Sequence, residues 1–232
     1  MALSKNALIV LTSHYDVFYE DGTKTGVFWS EAAHAFHAFK KAGWEVQFVS
    51  ETGSYGIDEH SLVPPMFISE EDLAEYNNKD AEIHKYLAQT KAIKDVNVDD
   101  YAIFYAAGGH ATLFDLPTAT GLIDAARKIY ANGGVVSAVC HGPAIFGGCP
   151  ELVKDKKVTC FVQAAEEQIG LGATLEKFNL KTNEEILAAA GGIYQAPPNE
   201  WVDFSVADGR IVTGVNPASA TSTAEKAIAA LQ

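Results

Sequence analysis

Long apolar runs are missing from this 232-residue chain. The first apolar stretch, in MALSKNALIVLTSHYD, is far shorter than the ~20 residues a membrane-spanning helix needs, and it carries no signal-peptide cleavage pattern. It reads as a strand. Cysteine is scarce. Cys140, Cys149 and Cys160 make an odd count without a CxxC pair, which argues against a disulfide framework and against zinc. A reducing cytoplasm is the expected setting, with nuclear or stress-dependent relocation left open. Positive charge is short as well: 17 Lys and Arg stand against 30 Asp and Glu, a formal net charge of -13. Phosphate backbones and anionic membranes call for a basic face, so neither nucleic acid nor membrane is an expected partner. Neither GxGxxG nor a P-loop GK[ST] occurs, which excludes the usual nucleotide cradles. Internal repeats and low-complexity tracts are absent too.

What is present is an alternation. NALIVLTS (6–13), EVQFVS (45–50), YAIFYAAG (101–108) and GVVSAVC (134–140) are short, continuously apolar and rich in β-branched or aromatic residues. Strands covered on both faces read this way. Helical patterns over 27–42, 118–132 and 220–231 lie among them, and GRIVTGVNPASA (209–220) reads as a last strand entering the closing helix. This order predicts an α/β fold: a doubly wound, mostly parallel sheet with helices on both faces, residues 1–232 forming a single domain. Residues 51–99, with VPPM and the acidic ISEEDLAEYNNKDAEIHKYL, are too long for a simple crossover. They predict an inserted helical flap over the C-terminal edge of the sheet, where ligands bind in such folds.

GGVVSAVCHGPAIF places Cys140 and His141 where a buried strand stops and a helix begins. Ala138-Val139-Cys140-His141-Gly142 has the small-x-nucleophile-x-small form of a nucleophile elbow, whose tight turn pushes the central side chain over the sheet edge. A helix N-terminus there favours thiolate over thiol, and its N–H groups can face an oxyanion. The pentapeptide fits a buried core thiol equally well. Cys149 and Cys160 lack this context and read as structural. Glu31 points with the apolar stripe Phe28, Ala32, Ala35 and Phe39, so it either enters a core-side pocket or reaches solvent at the stripe's margin. His34 and His37 lie off that stripe and read as exposed rather than as metal ligands. In AAGGHATLFDLP, Gly108 and Gly109 permit close backbone approach and can donate an N–H to a substrate oxygen; a plain strand-ending turn reads the same. His141 is a candidate general base, and adjacency alone does not place its ring on the sulfur.

Four separated motifs, EDGTKTGVFWSE, GGHATLFDLP, AVCHGPAIF and DGRIVTGVNPASA, together resemble the ThiJ/PfpI superfamily. Within it they are most similar to the branch of fungal glutathione-independent glyoxalases (glyoxalase III) and heat-shock chaperones. The likeness covers nearly the whole chain, including 51–99. It implies a flavodoxin-like fold, a homodimer, and conversion of methylglyoxal and water to D-lactate in reactive-carbonyl detoxification, with glyoxal as a further 2-oxoaldehyde substrate. It implies no glutathione, metal or organic cofactor. Matched position by position, Cys140 is the nucleophile, His141 its histidine and Glu31 the helix glutamate beside the sulfur. Glu166 falls at the third triad position, with Glu167 as the alternative register. Gly109 and the His141 amide match the oxyanion donors, and Ala111 stands where close relatives often carry Gly. The same resemblance carries a rival: a stress-induced holdase chaperone or oxidative-stress sensor with a redox-active Cys140. A cysteine peptidase or amidase is a weaker alternative, and deglycase activity would follow from the same chemistry.

Overall fold

The computed structural model describes residues 4–231. In chain order its strands are β1 (Asn6–Val10), β2 (Asp16–Val17), β3 (Lys24–Thr25), β4 (Glu45–Ser50), β5 (Lys91–Ala92), β6 (Ile103–Ala106), β7 (Val135–Val139), β8 (Lys157–Val158), β9 (Ile193–Tyr194), β10 (Ser205–Asp208) and β11 (Ile211–Gly214). The α-helices are α1 (Trp29–Lys41), α2 (Glu70–Asn77), α3 (Glu82–Leu87), α4 (Thr112–Asp115), α5 (Thr120–Ala131), α6 (Gln163–Gln168), α7 (Gly172–Lys177), α8 (Asn183–Ala189) and α9 (Ala220–Ala229). Seven strands form one sheet in the order β10-β11-β7-β6-β1-β4-β5. All its pairings are parallel except β10 with β11. The parallel core β4-β1-β6-β7-β11 is the flavodoxin-like order.

Continuous apolarity of the central strands follows from burial on both sides. On β1, Ala7 and Ile9 pack toward α1 and α9, while Leu8 and Val10 enter the opposite core with α5. The period of two along a strand produces this division. Each large side chain so buried, such as Leu8 or Phe104, contributes about 1.5–3 kcal/mol relative to exposure. The five strands read from sequence are present, β4 with the predicted bounds and the others with trimmed ends. Strand β10 went unread because Ser205–Asp208 is a half-polar edge segment with little apolar signal.

The 51–99 insertion carries helices, as predicted, and one short strand besides. It contains short 3-10 turns, α2 and α3, and also β5, which adds an edge strand beside β4. His34 Nε2 meets Asp72 Oδ1 at 2.9 Å and His37 Nε2 meets Glu75 Oε1 at 2.9 Å, so the histidines read as exposed tie α2 to α1. Helix α1 is thereby covered on its outer side as well. Trp29, Ala33 and Phe36 are buried along with the predicted stripe. Only the stretch around His60 and Phe67 reaches the C-terminal edge near Cys140.

Candidate active site

Strand β7 ends at Val139, and Cys140 follows with φ of 59°, left-handed backbone that a non-glycine residue adopts at a cost of about 1–3 kcal/mol. Two backbone bonds hold it there. Cys140 N–H donates to Gly214 O at 2.9 Å, and Phe161 N–H donates to Cys140 O at 2.9 Å. The small neighbour at 142 is obligatory, because a Cβ on Gly142 would come within 2.3 Å of Ala106 O. The segment after the elbow, Gly142–Gly147, is 3-10 rather than α-helical, with Pro143 in its first turn. Its aligned dipole is correspondingly short, and the thiol draws less from it than an α-helix would supply.

His141 turns its ring back onto the sulfur: Cys140 Sγ and His141 Nδ1 are 3.3 Å apart. On the far side, His141 Nε2 lies 2.7 Å from Glu166 Oε1. Glu166 sits in the first turn of α6 facing inward, whereas Glu167 faces solvent. The register left open by the sequence therefore closes on Glu166. Glu31 is fully buried. Its Oε2 accepts the Gly108 N–H at 2.6 Å, and Oε1 has no partner in hydrogen-bond geometry. Burial pushes the Glu31 carboxyl up to about 8, against smaller opposing pulls from the Cys140 sulfur and the Gly108 amide. At neutral pH it holds its proton. Burial above all pushes the Cys140 thiol up, so the resting group is the thiol rather than the thiolate.

Gly108 spends its amide on Glu31, while the Gly109 and His141 N–H groups, the two that the resemblance implies as oxyanion donors, donate to no backbone acceptor among the described residues. Gly109 has φ of 110°, and a Cβ there would reach 2.1 Å from Gly26 O. Ala111, at φ of -55°, needs no glycine. Gly108 packs against the same centre: a Cβ would lie 2.7 Å from both Glu31 Oε2 and His141 N, and 2.8 Å from Val139 O. Two of these three atoms are backbone. Gly108→Ala is therefore expected to cost about 1–3 kcal/mol in thermal unfolding and to displace Glu31 from the sulfur. An unchanged melting temperature would show that the loop relaxes freely.

One buried group was missed by sequence reasoning. His110 Nε2 lies 2.9 Å from Glu166 Oε2, and its ring centroid is 4.0 Å from that of His141. Its only sequence mark is its place just after the paired glycines. His110, His141 and Glu166 are also the one group of His, Cys and acidic side chains among the described residues whose donor atoms converge, within 4.8 Å. Their spacing is that of hydrogen bonds made directly to one another, a proton-sharing network. Above Cys140 the pocket wall is apolar and aromatic, with Tyr19, Phe28, His60, Phe67, Phe161 and Trp201 drawn from distant segments. Sequence reasoning found none of this wall, since no periodicity links those positions.

A family model described as the DJ-1/PfpI family matches residues 23–230. The chain is 51% identical over 234 residues to the glutathione-independent glyoxalase HSP31 of Saccharomyces cerevisiae, covering 98% of each. It is 46% identical to glyoxalase 3 of Candida albicans, over 97% of this chain and 98% of the relative. The crystal structure of glyoxalase III from Candida albicans superposes with a TM-score of 0.93 at 45% identity, covering 98% of this chain and 97% of that one. With the elbow, the sheet order and this full-length similarity in agreement, the chain belongs to the DJ-1/PfpI family.

Proposed function

We propose that this protein is a glutathione-independent glyoxalase that converts methylglyoxal and water to D-lactate, without a cofactor. One observation carries the reading. The relay from Glu166 through His141 to Cys140, at 2.7 and 3.3 Å, ends on a nucleophile in a partly enclosed, mostly apolar pocket. Relatives similar over nearly their full length are named glutathione-independent glyoxalase and glyoxalase 3. The small pocket suits a 2-oxoaldehyde, glyoxal included, better than a peptide. The assembly and setting that go with this reading are a homodimer and the cytoplasm.

The chemistry balances with the groups present. His141 Nδ1 takes the thiol proton, and the Cys140 sulfur adds to the aldehyde carbon. The new oxyanion faces the Gly109 and His141 amides and regains the proton from His141, giving a neutral hemithioacetal. Protonated Glu31 donates to sulfur while the thiolate exists, which offsets the thiol's raised pKa. Neutral His141, oriented by Glu166, then removes the proton on the former aldehyde carbon. Returning a proton to the neighbouring carbon through an enediol yields a lactyl thioester. Water activated by His141 cleaves the thioester, releasing lactate and the thiol. Carbon oxidation at one centre matches reduction at the next, so no external oxidant enters.

The test is product analysis in deuterated water without glutathione. D-lactate carrying solvent deuterium at C2 is expected, because the migrating hydrogen travels as an exchangeable proton. Lactate that fully retains the aldehyde hydrogen would indicate hydride migration and overturn the enediol route. Absence of lactate would overturn the glyoxalase reading itself.

A further inference from the structure

We propose that His110 is a positioning residue: bound to the second oxygen of Glu166, it carries the one positive charge of the cluster and thereby keeps His141 an uncharged base. The kinetic part of this inference rests on the glyoxalase reading, and the spectroscopic part does not.

The geometry is that of one carboxylate between two imidazoles. Glu166 Oε1 is 2.7 Å from His141 Nε2, and Oε2 is 2.9 Å from His110 Nε2. All three side chains are buried. One carboxylate in a dry site balances one cation. Two imidazolium rings at 4.0 Å would repel by about 4 kcal/mol even at an effective dielectric of ~20. The cluster therefore holds a single extra proton, and its position decides whether His141 can act. His141 must be neutral at Nδ1 to receive the thiol proton, since that nitrogen lies 3.3 Å from the sulfur.

The surroundings favour His110. Its ring stacks on Phe18 at 5.2 Å, and Tyr19 and Phe161 meet it edge-on. The charged groups around it are Glu166 on α6, His141 on the elbow and, beyond Tyr19, the buried Asp58, which accepts the Tyr19 hydroxyl at 2.8 Å. Burial is the largest single influence on His110 and pulls it down. Glu166 and Asp58 outweigh it, so its pKa stays above the ordinary imidazole value. For His141 burial dominates, the His110 charge adds to it, and the two outweigh the upward pulls of Glu166 and Asp58, so the group is pushed down to about 4. A histidine at the usual value of 6.5 would be half-protonated at pH 6.5 and half the enzyme idle. The second histidine removes that loss.

The test is His110→Gln, which retains a donor near the Nε2 position and removes the charge. The acid limb of kcat/KM for D-lactate formation is expected to move up by about 2 pH units or more. At pH 5 this is a loss of about tenfold or more, shrinking to under about twofold at pH 7.5. A loss that is equal at all pH values, or an unmoved limb, would overturn the proposal in favour of packing alone. Nitrogen-15 NMR of histidine-labelled wild type gives an independent answer. At pH 6.5, His110 should show two protonated nitrogens and His141 the neutral form protonated at Nε2. A neutral His110 or a charged His141 would overturn the assignment whether or not the protein turns over methylglyoxal. If lactate is absent while the NMR pattern holds, the glyoxalase reading fails and the charge arrangement stands.

Discussion

Cys140→Ser is expected to abolish D-lactate formation from methylglyoxal, a loss of more than about 10³-fold, while the fold persists. The sulfur does two jobs that an alcohol does poorly. It must yield its proton to a neighbouring imidazole, and it must leave as a stable anion when the lactyl thioester is cleaved. Serine keeps nearly the same volume at a site that is only 2% exposed, so the elbow, held by Gly214 O and the Phe161 amide, should remain. The other two cysteines serve as controls. Cys149 is buried against Ile145 O, where burial pushes its thiol up to about 12, and Cys160 is buried too. Cys149→Ala should cost about 1–2 kcal/mol of stability for the lost volume and leave turnover intact. Substantial lactate from the Cys140→Ser protein would sink the covalent scheme. Loss of lactate from Cys149→Ala as well would mean that the assay reads folding rather than chemistry.

Glu31→Gln is expected to stabilise the protein at neutral pH while altering its alkaline activity. The folded protein keeps the Glu31 proton that the unfolded chain releases above its ordinary value of 4.5 and holds it to about 8. Across that window the native state binds more protons than the unfolded state, so stability falls as pH rises. By pH 7 this one buried carboxyl costs about 3 kcal/mol. Glutamine has the same shape, accepts the Gly108 N–H through its oxygen, donates toward sulfur through its nitrogen and does not titrate. The melting temperature should rise on the order of 6 °C at pH 7, with the difference vanishing near pH 4.5. In the wild type, turnover should decline above pH 8, where Glu31 ionises beside the sulfur and stops donating. The variant should lack that decline, although it cannot pass a proton. Equal melting temperatures at pH 5 and pH 8 would show that Glu31 is not the buried acid described. A stabilised variant with weaker catalysis is the usual trade at a site whose groups are held against their own preferences.

The central strands were legible because parallel strands buried on both faces must be apolar at every position, a local and one-dimensional signal. The helices were legible for a similar reason, through their period. The elbow was legible as a spacing of small residues about Cys140, which sterics at the turn demand: Gly142 has no room for a Cβ. Strand β10 and edge strand β5 were not, since edge segments are short and half-polar and their pairing partners lie elsewhere in the chain. The helical reading of 51–99 missed β5 on the same ground.

Site chemistry divides in the same way. Residue types and their local setting made Cys140, His141 and Glu31 candidates, and resemblance alone raised Glu31 and the Glu166–Glu167 pair above other acids. The amino-acid sequence by itself determined the order of elements, the acidic balance, and a thiol on a constrained turn, all properties of near neighbours along the chain. Only the tertiary structure decided that Glu31 is buried against an amide 77 positions away, that Glu166 rather than Glu167 meets His141, and that His110, 56 positions from Glu166, claims its other oxygen. Those relations set the protonation states because burial and charge act through space at a few ångströms, and neither has a footprint along the chain.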